Sequence, residues 1–161
     1  MAKRLKVFCA LSGGVDSATS AALLKRAGYE VVGAFMKNWA PEETEGTGCP
    51  WVKDQEDAQK TAQFLGIPFY TFDFQKEYKN KVVDYLFNGY AKGETPNPDT
   101  LCNREIKFGL FLDKALAMGA DMIATGHYAR VQHINWFNKK ERLLKGVDKN
   151  GEEKEFSLAE L

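Results

Sequence analysis

Apolar and polar positions alternate along the chain in blocks that predict strands and helices in turn. Lys6 to Leu11 is a short apolar run closed by two glycines, which is typical of a strand buried on both faces of a sheet. Small apolar residues then recur at helical spacing from Asp16 to Ala27, with Gly28 placed to end the helix. The same pair of patterns follows, as a strand from Glu30 to Met36 and a helix closed by Gly66.

The alternation continues through the second half of the chain and then changes. Pro68 to Phe72 and Asp121 to Thr125 predict two further strands. Apolar residues at helical spacing predict two further helices, through Tyr78, Val82, Tyr85 and Leu86 and through Phe108, Phe111, Leu112 and Ala115. This order indicates an α/β fold, a Rossmann-like parallel sheet with helices on both faces. Beyond His127, two strand-like runs flank a polar turn and predict a C-terminal β-hairpin.

Composition narrows the class of protein. A chain of 161 residues with 44% hydrophobic and 27% charged content suits one globular domain. The sequence contains no run near the roughly 20 apolar residues of a membrane span and no apolar signal core, so we expect a cytoplasmic location without a membrane partner. The 22 basic and 22 acidic residues cancel, which gives no charge signature of nucleic-acid binding. Three cysteines without a CxxC spacing argue against a disulfide framework and a zinc site.

A glycine-rich loop, Ser12–Ser17 with the sequence SGGVDS, separates the first strand from the first helix. Backbone amides and the helix dipole form an anion site at such a junction, and parallel sheets bind ligands at the carboxyl ends of their strands. The two glycines permit close approach of a phosphate, and the two serine hydroxyls can donate to its oxygens. Asp16 would repel a phosphate, so we expect it to cap the helix and to hold Mg²⁺ beside a leaving pyrophosphate. An ordinary Gly-Gly turn is the alternative.

This loop resembles the PP-loop of the ATP pyrophosphatase superfamily. Members of that superfamily cleave ATP between its α and β phosphates and adenylate a carbonyl oxygen. The Walker-type pattern GxxxxGK[ST] does not occur in the sequence, so chemistry at the γ phosphate is not indicated. The resemblance implies ATP and Mg²⁺ as cofactors.

A second candidate segment, residues 95–103, reads TPNPDTLCN. Two prolines stiffen it, and a helix is predicted to begin near Asn103, which would place Cys102 beside a helix N-terminus. Such a position lowers the pKa of a thiol and favours the nucleophilic thiolate, whereas a small buried side chain in a turn is the alternative. Cys9, inside an apolar strand, is expected to be buried, and Cys49 lies in an acidic loop that raises a thiol pKa.

Three segments together resemble one family closely, the tRNA-specific 2-thiouridylases of bacteria. They are TPNPDTLCNREIKF, the earlier GAFMKNW and the later ATGHYARV, and the match runs in order from about Lys6 to Asp148. The resemblance implies that residues 1–148 form a PP-loop catalytic domain in which ATP adenylates the O2 of the wobble uridine of tRNA. Sulfur from a cysteine persulfide then displaces AMP at C2. It also implies tRNA and a sulfur-relay donor protein as partners.

The same resemblance assigns residues to the site. ATP is bound by Ala10, Leu11, Ser12, Gly13, Gly14, Val15, Asp16, Ser17, Met36 and Gly126. The target uridine is contacted by Asn97, Pro98 and Asp99, and the catalytic residues are Cys102, as nucleophile, and Asp16. An apolar Met36 at a strand end suits an adenine ring, and Gly126 lets backbone approach the nucleotide.

Each of three further side chains near these segments has two possible roles. His127 acts either as a base or as a structural histidine. Arg104 and Lys107, a turn apart on the helix after Cys102, either contact RNA phosphates or form a solvated face.

After Asp148 the sequence departs from the family. Family members continue with a Lys-Asp-Gln-Ser-Tyr-Phe run, a linker domain that carries a second catalytic cysteine, and a terminal β-barrel. Here residues 149–161 read KNGEEKEFSLAEL, where only Phe156 and the LAEL ending resemble that run. We therefore expect residues 149–161 to be a divergent or truncated tail. Two alternatives stay open, a non-catalytic ATP-binding remnant and another PP-loop enzyme that forms amides or modifies a tRNA cytidine.

Overall fold

The structure, a computed structural model, describes residues 3–38, 51–133, 141–145 and 155–156. The chain forms two compact units, Met1–Gly126 and His127–Leu161. The domain limit that we predicted at residue 148 stays a prediction. Among the described helices, none is both long and apolar enough to cross a bilayer.

Four parallel strands form the sheet of the first unit, in the order β3-β2-β1-β4. They are β1 (Lys6–Ala10), β2 (Glu30–Lys37), β3 (Phe69–Asp73) and β4 (Met122–Ala124). β1 is paired on both sides, with Ala10 opposite Ala34 of β2 and Cys9 opposite Ala124 of β4. The parallel α/β sheet predicted from the apolar runs is therefore confirmed, and the carboxyl ends of β1, β2 and β4 share one edge.

Two regular helices and two composite helices connect these strands. The regular helices are α1 (Val15–Arg26) and α2 (Trp51–Leu65). The first composite helix consists of α3 (Gln75–Tyr78), the π-helical segment π1 (Lys79–Val83) and α4 (Asp84–Ala91). The second consists of α5 (Pro98–Leu101), the π-helical segment π2 (Cys102–Leu110) and α6 (Phe111–Ala117). π-Helical turns are rare and often lie at functional sites, so both segments bear on the site below.

The π2 segment changes which side chains of its helix reach the core. Ile106, Phe111 and Ala115 are fully buried, whereas Phe108 is 44% exposed. A π-helix bonds residues five apart, so the buried positions are spaced by five across π2 and by four beyond it. The helix that we predicted here is confirmed, but Phe108 does not belong to its buried face.

Apolar side chains pack on both faces of the sheet because successive strand residues point in opposite directions. One face buries Phe8, Val32 and Phe72 against Val82, Ile106 and Phe111 of the composite helices. The opposite face buries Cys9, Leu11, Val31 and Phe35 against Ala21 of α1 and Ala58 and Ala62 of α2. Tyr85, which the helical spacing placed with Val82 on a core face, is instead 48% exposed.

The second unit contains a small antiparallel sheet in the order β5-β6-β7. Its strands are β5 (Ala129–His133), β6 (Glu141–Lys145) and β7 (Glu155–Phe156). The predicted hairpin is confirmed by the pairing of β5 with β6, and its connection lies outside the described residues. β7 pairs Phe156 with Leu143, a strand within residues 149–161 that the sequence pattern did not predict.

Candidate active site

The loop Ser12–Ser17 leaves the carboxyl end of β1 and turns directly into α1. Gly14 is the N-cap of α1, and the helix has no side-chain cap. We had expected Asp16 to cap the helix, and this expectation is wrong because Gly14 occupies the N-cap position. Asp16 lies instead in the first turn, where the helix dipole favours a carboxylate. The sheet order reverses between β1 and β4, which makes this edge the place where parallel sheets bind ligands.

Hydrogen bonds between the two serines hold the loop in one shape. The Ser17 hydroxyl donates to the Gly14 carbonyl at 2.9 Å and accepts from the Ser12 backbone N–H at 3.1 Å. The Ser12 hydroxyl accepts from the Gly14 N–H at 3.3 Å and lies 3.2 Å from the Ser17 hydroxyl. Ser17 is buried, so in this structure its hydroxyl shapes the loop, and the phosphate contact we predicted for it stays a prediction.

Two glycines allow backbone segments to meet around this loop. Gly13 has φ of 85°, and a Cβ there would lie 2.6 Å from the backbone oxygen of Asp54 in α2. A Cβ on Gly126, just beyond β4, would lie 2.7 Å from the Ser17 nitrogen and 3.0 Å from the Asp16 carbonyl carbon. The structure therefore brings Gly126 against the start of α1, as expected for residues of one site.

The other residues predicted to bind ATP have different environments. Ala10 and Leu11 are buried, and the Leu11 N–H donates to the Ala34 carbonyl at 2.8 Å, which extends the pairing of β1 with β2. Val15 is 75% exposed at the start of α1. Met36 is half-buried near the end of β2 and packs against the core on the composite-helix face. The exposed residues of the predicted set, Ser12, Gly14, Val15 and Asp16, thus all lie in the loop.

The segment 95–103 begins a helix earlier than predicted. α5 starts at Pro98, and the Asn97 side chain caps it, accepting hydrogen bonds from the backbone N–H groups of Asp99 at 3.0 Å and Thr100 at 3.2 Å. Asparagine at the N-cap with proline at the first helical position is a strong helix-start signal in a sequence. The start that we predicted near Asn103 is wrong because it overlooked that signal.

Replacing Asn97 by alanine is expected to lower the free energy of unfolding by about 1 kcal/mol, because two backbone donors lose their partner. Chemical denaturation of the two proteins measures this difference. The matched control is Asn88→Ala on the exposed side of α4, where alanine is the better helix former and no loss is expected. Equal losses in both variants would contradict the capping role.

Cys102 lies in the second turn of a helix and not beside its N-terminus. Its half-buried side chain packs against the core on the composite-helix face. Burial raises the pKa of the thiol, the Lys107 ammonium lowers it, and the Asp99 carboxylate raises it. Tyr78 of α3 interacts electrostatically with both Cys102 and Asp99. The prediction that a helix N-terminus lowers this pKa is therefore wrong.

The π2 register explains why Lys107 acts on Cys102. Lys107 lies five positions after Cys102. A π-helix forms backbone hydrogen bonds across this interval, whereas an α-helix places two such residues on nearly opposite sides. An ammonium group beside a thiol favours the thiolate. The π-helical segment thus places the Lys107 ammonium where it lowers the pKa of Cys102, against the increase caused by burial.

The remaining sequence candidates are separate from this cluster or lie outside the described residues. Cys9 is fully buried, which confirms the expectation, its thiol lies 3.9 Å from the Ser17 carbonyl, and burial raises its pKa to about 11. Cys49 lies outside the described residues. His127 is exposed and belongs to the second unit, and its role stays a prediction.

Within the described residues, no cluster of three or more His, Cys, Asp or Glu side chains forms a ready metal site. Mg²⁺ beside a nucleotide takes one or two carboxylates and completes its shell with phosphate oxygens and water. Asp16, exposed in the first turn of α1 beside the loop, is a side chain of the required kind.

A family described as tRNA methyl transferase HUP domain matches residues 5–161. Curated relatives include the tRNA-specific 2-thiouridylase MnmA of Christiangramia forsetii, which is 52% identical, and that of Bacillus subtilis, which is 47% identical. Each match covers 94% of this chain, but only 39% and 40% of the two relatives. The chain thus spans about two fifths of their length. The resemblance indicated by the motifs is confirmed.

Solved structures with related folds have low sequence identity. One described as a predicted subunit of tRNA methyltransferase from Methanocaldococcus jannaschii aligns with a TM-score of 0.52 at 19% identity, over 82% of this chain and 58% of that chain. Glutamine-dependent NAD+ synthetase from Acinetobacter baumannii, solved with ADP, aligns with a TM-score of 0.50 at 22% identity, over 77% and 22%. These likenesses show the α/β fold alone.

Proposed function

Because this chain belongs to the family of tRNA methyl transferase HUP domains, we propose that it is the ATP-using catalytic domain of a tRNA 2-thiouridylase. The observation that carries the proposal is the loop Ser12–Ser17 at the carboxyl end of β1, closed by the approach of Gly126 to the start of α1. Its curated relatives are named tRNA-specific 2-thiouridylases. The proposed substrates are ATP and tRNA, and the proposed setting is the cytoplasm.

The first half-reaction uses the phosphate loop. The O2 of the wobble uridine attacks the α phosphorus of ATP, and the bond from that phosphorus to the pyrophosphate oxygen breaks. Backbone N–H groups of the loop and the positive end of α1 stabilise the negative charge that develops on the phosphates. Asp16 would hold a magnesium ion, which when bound neutralises charge on the departing pyrophosphate. Met36 and Gly126 are proposed to line the adenosine side of the site.

The second half-reaction uses the segment that begins at Asn97. Asn97, Pro98 and Asp99 are proposed to contact the target uridine. The helix cap uses only the Oδ1 of Asn97, so its amide nitrogen can donate to a base. The terminal sulfur of a persulfide on Cys102, loaded by a sulfur-relay donor protein, attacks C2 and displaces AMP. A second thiol then attacks the remaining S–S bond, which leaves a disulfide and releases 2-thiouridine.

The proposal is tested by asking whether pyrophosphate release depends on a wobble uridine. The purified chain, ATP and Mg²⁺ are incubated with unmodified tRNA carrying uridine or cytidine at the wobble position, and pyrophosphate is measured. We expect pyrophosphate only with the uridine tRNA, and an undiminished first turnover in a Cys102→Ser variant, because adenylation precedes sulfur transfer. ATP binding without pyrophosphate release would favour a non-catalytic remnant, and pyrophosphate release that ignores tRNA would favour another adenylating enzyme.

A further inference from the structure

A cavity of about 440 Å³ separates the two composite helices. Its walls come from Lys81 of π1, Tyr85 of α4, Thr100 of α5, and Arg104 and Glu105 of π2. Its described walls include no residue of the loop Ser12–Ser17, so it is distinct from the site proposed for ATP. Its volume lies in the range of pockets that hold small molecules, and one nucleotide fits within it.

An ion-pair network fixes two cations at this cavity. The Lys81 ammonium contacts one Glu105 oxygen at 3.0 Å, and Arg104 Nε contacts the other at 2.9 Å. These hydrogen bonds, from Lys81 first and Arg104 second, lower the pKa of Glu105, so its carboxylate stays charged near neutral pH. The trio has a net charge of one positive unit. Because Arg104 uses Nε for this bond, the other guanidinium N–H groups can donate to an anion.

An aromatic ring lines the same cavity. Tyr85 is 48% exposed although it belongs to a helix whose Val82 is fully buried in the core. An exposed aromatic ring in one cavity with fixed cations is a combination by which proteins hold single-stranded RNA, with a base stacked on the ring and the phosphate at the cations. An acidic ligand without a ring would contact only the cations, and a purely apolar ligand would contact only the aromatic ring.

The cavity adjoins the segment assigned to the target base. Asn97 and Leu101 line it, and Leu101 directly precedes Cys102. Building on the proposed function, we propose that the cavity receives the RNA nucleotide next to the target uridine, with its base on Tyr85 and its phosphate at Arg104 and Lys81. The cavity would thereby hold the strand while the uridine itself reaches Cys102.

The test measures binding of an RNA stem-loop with a uridine in the loop to the full chain, by fluorescence anisotropy at several salt concentrations. Tyr85→Leu is expected to weaken binding about fivefold or more, because a stacked base is lost. Arg104→Gln is expected to flatten the dependence of log affinity on log salt by about 1, because a phosphate contact is lost. Matched controls are Phe87→Leu and Lys92→Gln, two exposed positions of the same region that do not line the cavity, and both should bind as the unaltered chain does.

Three outcomes would overturn the assignment. In the first, the cavity variants bind the stem-loop as well as the controls do. In the second, the unaltered chain does not bind the stem-loop. In the third, binding of free uridine monophosphate depends on Tyr85 but binding of the stem-loop does not. ATP affinity, measured by calorimetry in the same variants, should stay unchanged because the cavity is separate from the phosphate loop. ATP binding and uridine-dependent pyrophosphate release by the unaltered chain would leave the proposed function standing even if the cavity assignment fails. Thermal melts confirm that each variant is folded.

Discussion

Replacing Gly126 by alanine is expected to weaken ATP binding about a hundredfold, although the change adds only one methyl group. The added Cβ would lie 2.7 Å from the Ser17 nitrogen and 3.0 Å from the Asp16 carbonyl carbon. Both are backbone atoms at the start of α1, so no side chain can rotate to relieve the contact. The loop must therefore move, and its amide groups lose their alignment. Isothermal titration calorimetry with ATP and Mg²⁺ measures the loss.

Gly28→Ala is the matched control for this experiment. Gly28 follows α1 at φ of 91°, and nothing lies within 4 Å of a Cβ built there. Alanine at positive φ strains the backbone and lowers stability, but far from the loop it should leave ATP affinity unchanged. If Gly126→Ala bound ATP as tightly as Gly28→Ala, the nucleotide site would lie elsewhere.

The elements of this fold that sequence could predict are those whose signal is local. The apolar runs of β1 and β2 predicted buried parallel strands because both of their faces are covered by helices. The two glycines and two serines after β1 predicted a tight loop. The loop is indeed held by hydrogen bonds between residues at most five positions apart. Local hydrogen bonding and local periodicity both depend on residues that are close together in the sequence, so a short segment is enough to predict them.

The rest depended on contacts between distant segments. The π2 register follows from how Ile106 and Phe111 fill the core, and nothing in the sequence distinguishes it from an α-helix through Phe108. That a π-helical register lets Lys107 act on Cys102 could not be predicted for the same reason, because residues five positions apart lie on nearly opposite sides of an α-helix. The Tyr85 cavity likewise requires two helices to be placed side by side. By contrast, the Asn97-Pro98 dipeptide is a local sequence signal for the start of a helix, and we overlooked it.

The thiol of Cys102 is expected to react slowly at pH 7 and faster as the pH rises, because burial keeps its pKa above the ordinary value. Thiolate is the reactive form, and its fraction at a pH below the pKa falls tenfold for each unit by which the pKa rises. Lys107→Met removes the cation that opposes burial, so it should raise the pKa of Cys102 further and lower the alkylation rate at pH 7. Lys107→Arg keeps the charge and should restore most of the rate.

Asp99→Asn provides a change of the opposite sign. The Asp99 carboxylate raises the pKa of Cys102, so its removal should speed alkylation at pH 7. Lys114→Met, an exposed lysine on α6, is the matched control for lost positive charge and should leave the rate unaltered. A general loosening of the helix would instead speed alkylation in every variant, which separates an electrostatic effect from a structural one.

Rates are followed by iodoacetamide labelling and peptide mass spectrometry from pH 6 to 10, in a background where Cys49 is replaced by serine. Cys9 serves as an internal standard: it is fully buried with a pKa of about 11, so labelling there reports unfolding. We expect Cys102 to label well before Cys9 throughout. If Lys107→Met left the pH profile of Cys102 unchanged, the π2 segment would not be what sets the reactivity of this thiol. A profile that shifts upward in Lys107→Met, returns in Lys107→Arg and shifts downward in Asp99→Asn would assign that reactivity to the two charges on its own helix.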